Sequence, residues 1–189
     1  MLSWKPEPGS SDDELVEACL AGNEAAWGAL IEKYKRLVYS MPAKFRLPPE
    51  DSADVFQSVW VDLYRDLPRL EQASAVRGWL MTAATRRCLI YKKRSQRMLT
   101  QSGLNIDLAD KTLDVVTIQL EAEREQQLRE AVSQLPDRCR QMIRMLFYET
   151  PARPYLEVAR ELGLAEGSIG FIRGRCLRRL KALLGEAKA

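Results

Sequence analysis

The chain has 189 residues with 29 basic and 26 acidic side chains, a formal net charge of +3; that is one medium domain or two small ones, with no overall bias toward an acidic partner. Hydrophobic residues make up 46% and charged residues 29%, the range of a soluble protein that buries a core. Histidine is absent, which excludes triads, proton shuttles and metal sites built on an imidazole, and no cofactor is expected.

Residues 1–10, with two prolines and a glycine, read as a disordered tail rather than an apolar signal segment. Ser11 and Glu14, three apart, predict a capping box that opens a helix to about Ala21. Gly22 and Asn23 stop that helix and start the next, where Ala26, Trp27, Leu30, Ile31, Tyr34, Leu37 and Val38 recur at helical spacing. Pro42 is expected to kink or end it, and Pro48-Pro49 to break the chain. In the third helix Phe56, Val59, Trp60, Leu63 and Leu67 line one face, with Asp51, Asp54, Gln57, Asp62 and Arg65 off it, and Pro68 ends it. A loop then leads past Ser74 to a fourth helix carrying Val76, Trp79, Leu80, Ala84, Cys88 and Tyr91 on its apolar side.

Residues 98–117 lack helical periodicity and read as a linker, and a structureless stretch of that length argues for two domains. Helices resume from 118 to Gln134 and again through Cys139, Met142, Ile143, Leu146 and Phe147; a turn at 150–154 precedes two more, at about 154–162 and 166–184. No segment alternates with period two. The fold expected is all-α: two small helical domains, 11–97 and 118–186, joined by a flexible linker.

Cys19, Cys88, Cys139 and Cys176 are widely spaced and form no CxxC pair. They read as buried thiols packed as small hydrophobes in a reducing, cytoplasmic setting. No run approaches about 18 uncharged apolar residues, so no membrane partner is expected.

Residues 155–172 carry the most informative local pattern. Two short helices crossing steeply need a small residue at the contact, which Ala159 supplies, and a residue tolerating positive φ at the corner, which Gly163 supplies. The second helix must then face inward at Ile169 and Ile172, against Val158 and Leu162. This is the pattern of a DNA-binding helix-turn-helix; an ordinary helical hairpin shares the glycine turn. What separates them is the flank, where Arg173, Arg175, Arg178, Arg179 and Lys181 place five cations in nine residues with no acid. The residues expected to meet duplex DNA are Glu166, Gly167, Ser168, Gly170, Phe171, Arg173, Arg175 and Arg178. Gly170 would allow close approach, and Phe171 has two readings, a base contact and packing on the preceding helix.

A second one-signed run, Arg86, Arg87, Lys92, Lys93, Arg94 and Arg97, sets six cations in twelve residues on the helix that holds Trp79 and Tyr91. Cations beside aromatics suit unstacked bases, although Trp79 also fits a core position. Acids gather elsewhere, at Asp12, Asp13, Glu14 and Glu17, and at Glu50, Asp51, Asp54, Asp62 and Asp66. Basic faces apart from an acidic helix suggest an adaptor between DNA and a protein machine. The alternatives are a free-standing helix-turn-helix repressor or activator, and a helical enzyme or scaffold; for an enzyme no convergent polar constellation is found.

Over roughly residues 11–184 the chain resembles the extracytoplasmic-function sigma factors of bacterial RNA polymerase. Asp51-Ser52-Ala53-Asp54-Val55-Phe56-Gln57-Ser58-Val59-Trp60 resembles the family's clamp-docking helix. Gly78-Trp79-Leu80 with Arg86-Arg87 and Lys92-Lys93-Arg94 resembles its promoter-opening segment, and Leu135-Pro136-Asp137-Arg138-Cys139-Arg140 the start of its second domain. The chain departs from the family at Arg86, Ile90, Gly170 and Ile172, so promoter sequence does not carry over. The resemblance implies a non-enzymatic initiation factor that contacts core RNA polymerase through Asp51, Asp54, Gln57 and Ser58. It implies that Ser74, Arg77, Trp79, Arg86, Arg87, Lys92, Lys93 and Arg94 engage the downstream (-10) element as melted non-template strand, with 71–77 as the base pocket. The helix-turn-helix would bind the upstream (-35) element as duplex. An anti-sigma protein is a further partner expected by resemblance.

Overall fold

Ser11 and Glu14 cap each other as expected. The Glu14 carboxylate accepts from the Ser11 N–H at 2.9 Å, Ser11 Oγ accepts from the Glu14 N–H at 3.3 Å, and α1 (Asp12–Leu20) follows. This computed structural model describes residues 9–101 and 114–186; the expected tail through residue 8 and the stretch 102–113 of the expected linker lie outside the described residues. Among the described residues the regular structure is helical, with no strand.

Asn23 Oδ1 accepts from the Ala26 N–H at 3.2 Å and starts α2 (Glu24–Lys44). Pro42 does not end α2, which runs two residues beyond it. The end is made instead by Arg46, whose φ of 55° is left-handed. The Leu47 N–H reaches back to the Pro42 carbonyl and the Arg46 N–H to that of Ala43, each at 3.0 Å, which satisfies the terminal carbonyls.

Pro49 occupies the first turn of α3 (Pro49–Asp66), where its missing N–H costs nothing, and a 3-10 turn at Leu67–Arg69 closes the helix. A second 3-10 turn, Ala73–Ala75, leads into α4 (Val76–Gln101), which runs four residues beyond the expected end of the domain. Asp114 caps α5 (Val115–Ser133): its Oδ1 accepts from the N–H groups of Val116 and Thr117, and the Thr117 hydroxyl donates to its Oδ2 at 2.5 Å. The hydroxyl bond first, then the two backbone bonds, hold its carboxyl below the usual range.

Contacts divide the chain into two units, Met1–Gln126 and Gln127–Ala189, so the division falls inside α5 rather than before it. In the first unit α1–α4 surround a core of Leu30, Tyr34, Leu37, Met41, Phe45, Val55, Val59, Leu63, Leu80 and Ala84, all fully buried. Tyr34 lies at its centre with its hydroxyl bonded to the Asp12 carboxylate at 2.8 Å, so the buried polar atom is satisfied. Ile118 and Ala122 of α5 join this core, and the Gln126 side chain donates to the Lys33 carbonyl at 3.1 Å. Residues 115–126 therefore belong to the first unit, although the sequence reads 115–117 as linker and 118–126 as the start of the second domain: an amphipathic pattern says that a helix has an apolar face, not which core receives it.

The second unit holds α6 (Asp137–Ile143), a wider π turn at Arg144–Tyr148, α7 (Tyr155–Glu161), a 3-10 turn at Glu166–Ser168 and α8 (Ile169–Glu186). One core cluster joins Met142 and Met145 to Val158, Ala159, Leu162 and Ile169, and a second gathers Ala131, Leu135, Cys139, Ile143, Cys176 and Leu180; Ile172 packs on both.

Cys139 and Cys176 are not free thiols. A disulfide joins them between α6 and α8, with Cα atoms 5.3 Å apart. The expectation of four thiols fails here because 37 residues separate the pair and only the return of α8 onto α6 brings them together. Cys19 and Cys88 are free and buried, and burial pushes their thiols up to about 11 and about 12.

Candidate nucleic-acid interface

The core takes one side of α3 and frees the other. Ser52, Val55, Val59 and Leu63 are buried, while Glu50, Ala53, Asp54, Gln57, Val61 and Tyr64 recur at helical spacing on the exposed side. Asp54 and Gln57 thus share an open face; Asp51 and Ser58 sit half-buried at its edge. Sequence reasoning passed over Val61 and Tyr64 on that face, which are 48% and 68% exposed. Their place off the apolar stripe at the spacing of Gln57 is the signal that could have found them. Tyr64 leans on Trp27 of α2, ring centroids 5.3 Å apart. The Tyr91 hydroxyl of α4 donates to Asp54 Oδ2 at 3.3 Å, and burial first, then the Asp54 charge, raises the phenol above its ordinary value.

On α4 the six cations do not share one face. Arg86, Lys93 and Arg97 are exposed and spaced seven and four apart, and Trp79, seven residues before Arg86, is half-buried against the core at the head of the same stripe. Arg87 points the other way. Its Nε and Nη2 donate to Asp62 Oδ2 of α3 at 3.1 and 2.5 Å, so a carboxylate already answers its charge. Lys92 is half-buried on the side away from that stripe, and Arg94, seven residues after Arg87, is exposed on the side of Arg87. Ser74 is exposed in the 3-10 turn before α4 and Arg77 half-buried in its first turn.

In the second unit Gly163 takes φ +61°, the left-handed corner predicted for it, and Val158, Leu162 and Ile169 are buried together. The outward side of α8 and its leading turn carries Gly167, Gly170, Phe171, Arg178 and Lys181, all exposed, with Arg175 exposed beside Phe171. Glu166 is exposed in that leading turn, and Ser168 donates to the Ala165 carbonyl at 2.7 Å. Arg173 does not join them: half-buried, it bonds the Tyr155 hydroxyl and lies over that ring, 5.6 Å from its centroid. Arg153 pairs with both Glu149 and Glu161, tying the 149–153 turn to α7.

Among the described residues no group of three or more Cys, Asp or Glu side chains could hold a metal ion, and no helix is long and apolar enough to cross a membrane.

Residues 30–98, from α2 through most of α4, match the sigma-70 region 2 family. The chain is 26% identical over 176 residues to the ECF RNA polymerase sigma factor SigM of Mycobacterium tuberculosis, in each of two strains, covering 93% of this chain and 85% of the relative. It is also similar to CnrH, solved in complex with the cytosolic domain of CnrY, at 19% identity and a TM-score of 0.39 over 94% of this chain and 99% of that one. The region 2 match spans the helices that carry the α3 and α4 faces, and the likeness to SigM, over most of the chain, supports an extracytoplasmic-function sigma factor with a role in transcription initiation.

Proposed function

We propose that this chain recruits core RNA polymerase to specific promoters and helps open them, each step falling to a different helix face. The exposed face of α3, with Asp54 and Gln57 at its centre and Asp51 and Ser58 at its edge, meets core polymerase. The α4 stripe of Trp79, Arg86, Lys93 and Arg97, with Ser74 and Arg77 ahead of it, follows the displaced non-template strand. The outward side of α8 binds the upstream element as duplex. No bond is made or broken by the chain itself.

The observation that carries this reading is the separation of charge within the first unit. Two adjacent helices present unlike faces, acidic, polar and apolar on α3 and basic on α4, with Arg87 and Asp62 paired between them. A protein partner on one and a polyanion on the other satisfies both. Turning a base out of the stack costs a few kcal/mol, and stacking on an aromatic side chain returns about 1–3 kcal/mol per base. Because Trp79 is packed against the core along much of its surface, phosphate contacts from the cations must supply a large share of the grip. An anti-sigma partner remains part of this proposal, supported by the resemblance alone.

The test is transcription in vitro with purified core polymerase and a library of promoter fragments. The expected result is start-site-specific transcripts that require the chain, and co-migration of the chain with core. A symmetric operator bound tightly without polymerase would support a free-standing regulator instead.

A further inference from the structure

The outward side of α8 pairs an exposed aromatic ring with a guanidinium stacked on it. Phe171 is 65% exposed, and Arg175, one helical turn on, places its guanidinium carbon 5.2 Å from the ring centroid. The buried apolar residues of α8, Ile169, Cys176 and Leu180, point into the cores, and among the described residues Phe171 joins neither core cluster of the second unit. The other reading of Phe171, packing on α7, does not occur. No carboxylate among the described residues pairs with Arg175, and Arg178 and Lys181 follow it on the exposed side. Beside the ring, a Cβ added at Gly167 or Gly170 would meet nothing within 4 Å. The fold therefore does not require these glycines, although glycine weakens a helix.

We propose that Phe171 and Arg175 act together as a reader of duplex sequence, Phe171 against the 5-methyl group of a thymine and Arg175 on O6 and N7 of a guanine within two base pairs of it. This rests on the reading of α8 as the duplex-binding helix. The thymine methyl is the apolar group that the major groove offers, and the guanine acceptor pair is the one that matches a guanidinium fork. Four helical residues rise about 6 Å and base pairs step by about 3.4 Å, which sets the two-base-pair limit. Stacking on the Phe171 ring orients the guanidinium before it meets DNA, which reduces the ordering lost on binding. The bare backbone at Gly167 and Gly170 lets the ring reach the groove floor, and Arg178 and Lys181 are left for flanking phosphates.

The experiment selects a randomised duplex library with the full chain assembled on core polymerase. The upstream motif that enriches should hold a thymine within two base pairs of a guanine. Replacing that thymine by deoxyuridine, which deletes only the methyl, should weaken binding about fourfold, the value of one buried methyl, and should have no effect on Phe171→Ala. Replacing the guanine by 7-deazaguanine should weaken binding at least about fivefold and leave Arg175→Ala unaffected. If no upstream motif enriches, the reading of α8 fails and this proposal with it. If a motif enriches but tolerates deoxyuridine at every thymine, or Phe171→Ala keeps the discrimination, the proposal falls while α8 remains the duplex reader.

Discussion

Arg87 of α4 donates two hydrogen bonds to one carboxylate oxygen of Asp62 on α3, at 3.1 and 2.5 Å. Its neighbour in sequence, Arg86, is exposed on the basic stripe. One residue of helix turns a side chain by about 100°, and that turn separates a cation tied within the fold from one open to solvent. Removing a phosphate contact lowers the salt dependence of DNA binding by about one unit of slope. Arg86→Ala is expected to show that change with melted promoter DNA, and Arg87→Ala to leave the slope as it was. Equal slopes for the two variants would contradict the assignment of the face.

Asp54 stands exposed on α3, so Asp54→Arg should fold normally and lose affinity for core polymerase at least tenfold, about 1.4 kcal/mol. Tyr91→Phe removes the hydroxyl that bonds Asp54 and keeps the carboxylate, so it should retain core binding. Sedimentation of each variant with core separates the two. Full binding by the arginine variant would remove α3 from the interface.

The Cys139–Cys176 disulfide closes a loop across most of the second unit. Such a link contributes about 2–4 kcal/mol by restricting the unfolded chain. Reductant should therefore speed hydrogen exchange in α6 and α8 and leave α1–α4 unchanged. Cys139→Ser should match the reduced protein and respond no further to reductant.

Two glycines of the helix-turn-helix should respond oppositely to alanine. Gly163 holds φ +61°, where a Cβ is strained, and Gly163→Ala should cost about 1 kcal/mol. Gly170 lies within helical backbone with open space around it, so Gly170→Ala should gain about 0.5–1 kcal/mol. Chemical denaturation of the second unit reads both signs, and promoter binding should fall for Gly170→Ala despite the added stability.

Cys19 and Cys88 should resist alkylation in the native protein at pH 8 and react on unfolding, since burial raises their thiols to about 11 and about 12. A folded value above the unfolded one, near 9.0, stabilises the first unit fully below pH 9, and that contribution is lost as pH rises through 11 and 12. Replacing Cys88 with alanine should flatten this alkaline decline; an unchanged profile would mean that the thiol does not cause it.

The helices were legible because each is written locally. Ser11 with Glu14, Asn23, Pro49 and Gly163 act on the backbone within a turn of themselves, and the inward residues of α3 recur at a period that sequence displays. The end of α2 was not, because it depends on Arg46 taking a left-handed conformation that its side chain does not announce. The candidate faces were legible as clusters of charge and not as surfaces. Arg87 and Arg173 belong to runs expected to touch DNA, yet Asp62 and Tyr155 draw them inward, and partners 25 and 18 residues away are invisible to a count of cations.

By itself, then, the near-neutral charge of +3 resolved into two basic runs, two acidic ones and a helix-turn-helix, enough to determine the fold class and the resemblance. Tertiary structure alone decided which core takes the first half of α5, which cysteines pair and which cations face outward. Those three depend on contacts between residues distant in the chain. Helical periodicity specifies that a face exists, and packing specifies what it meets.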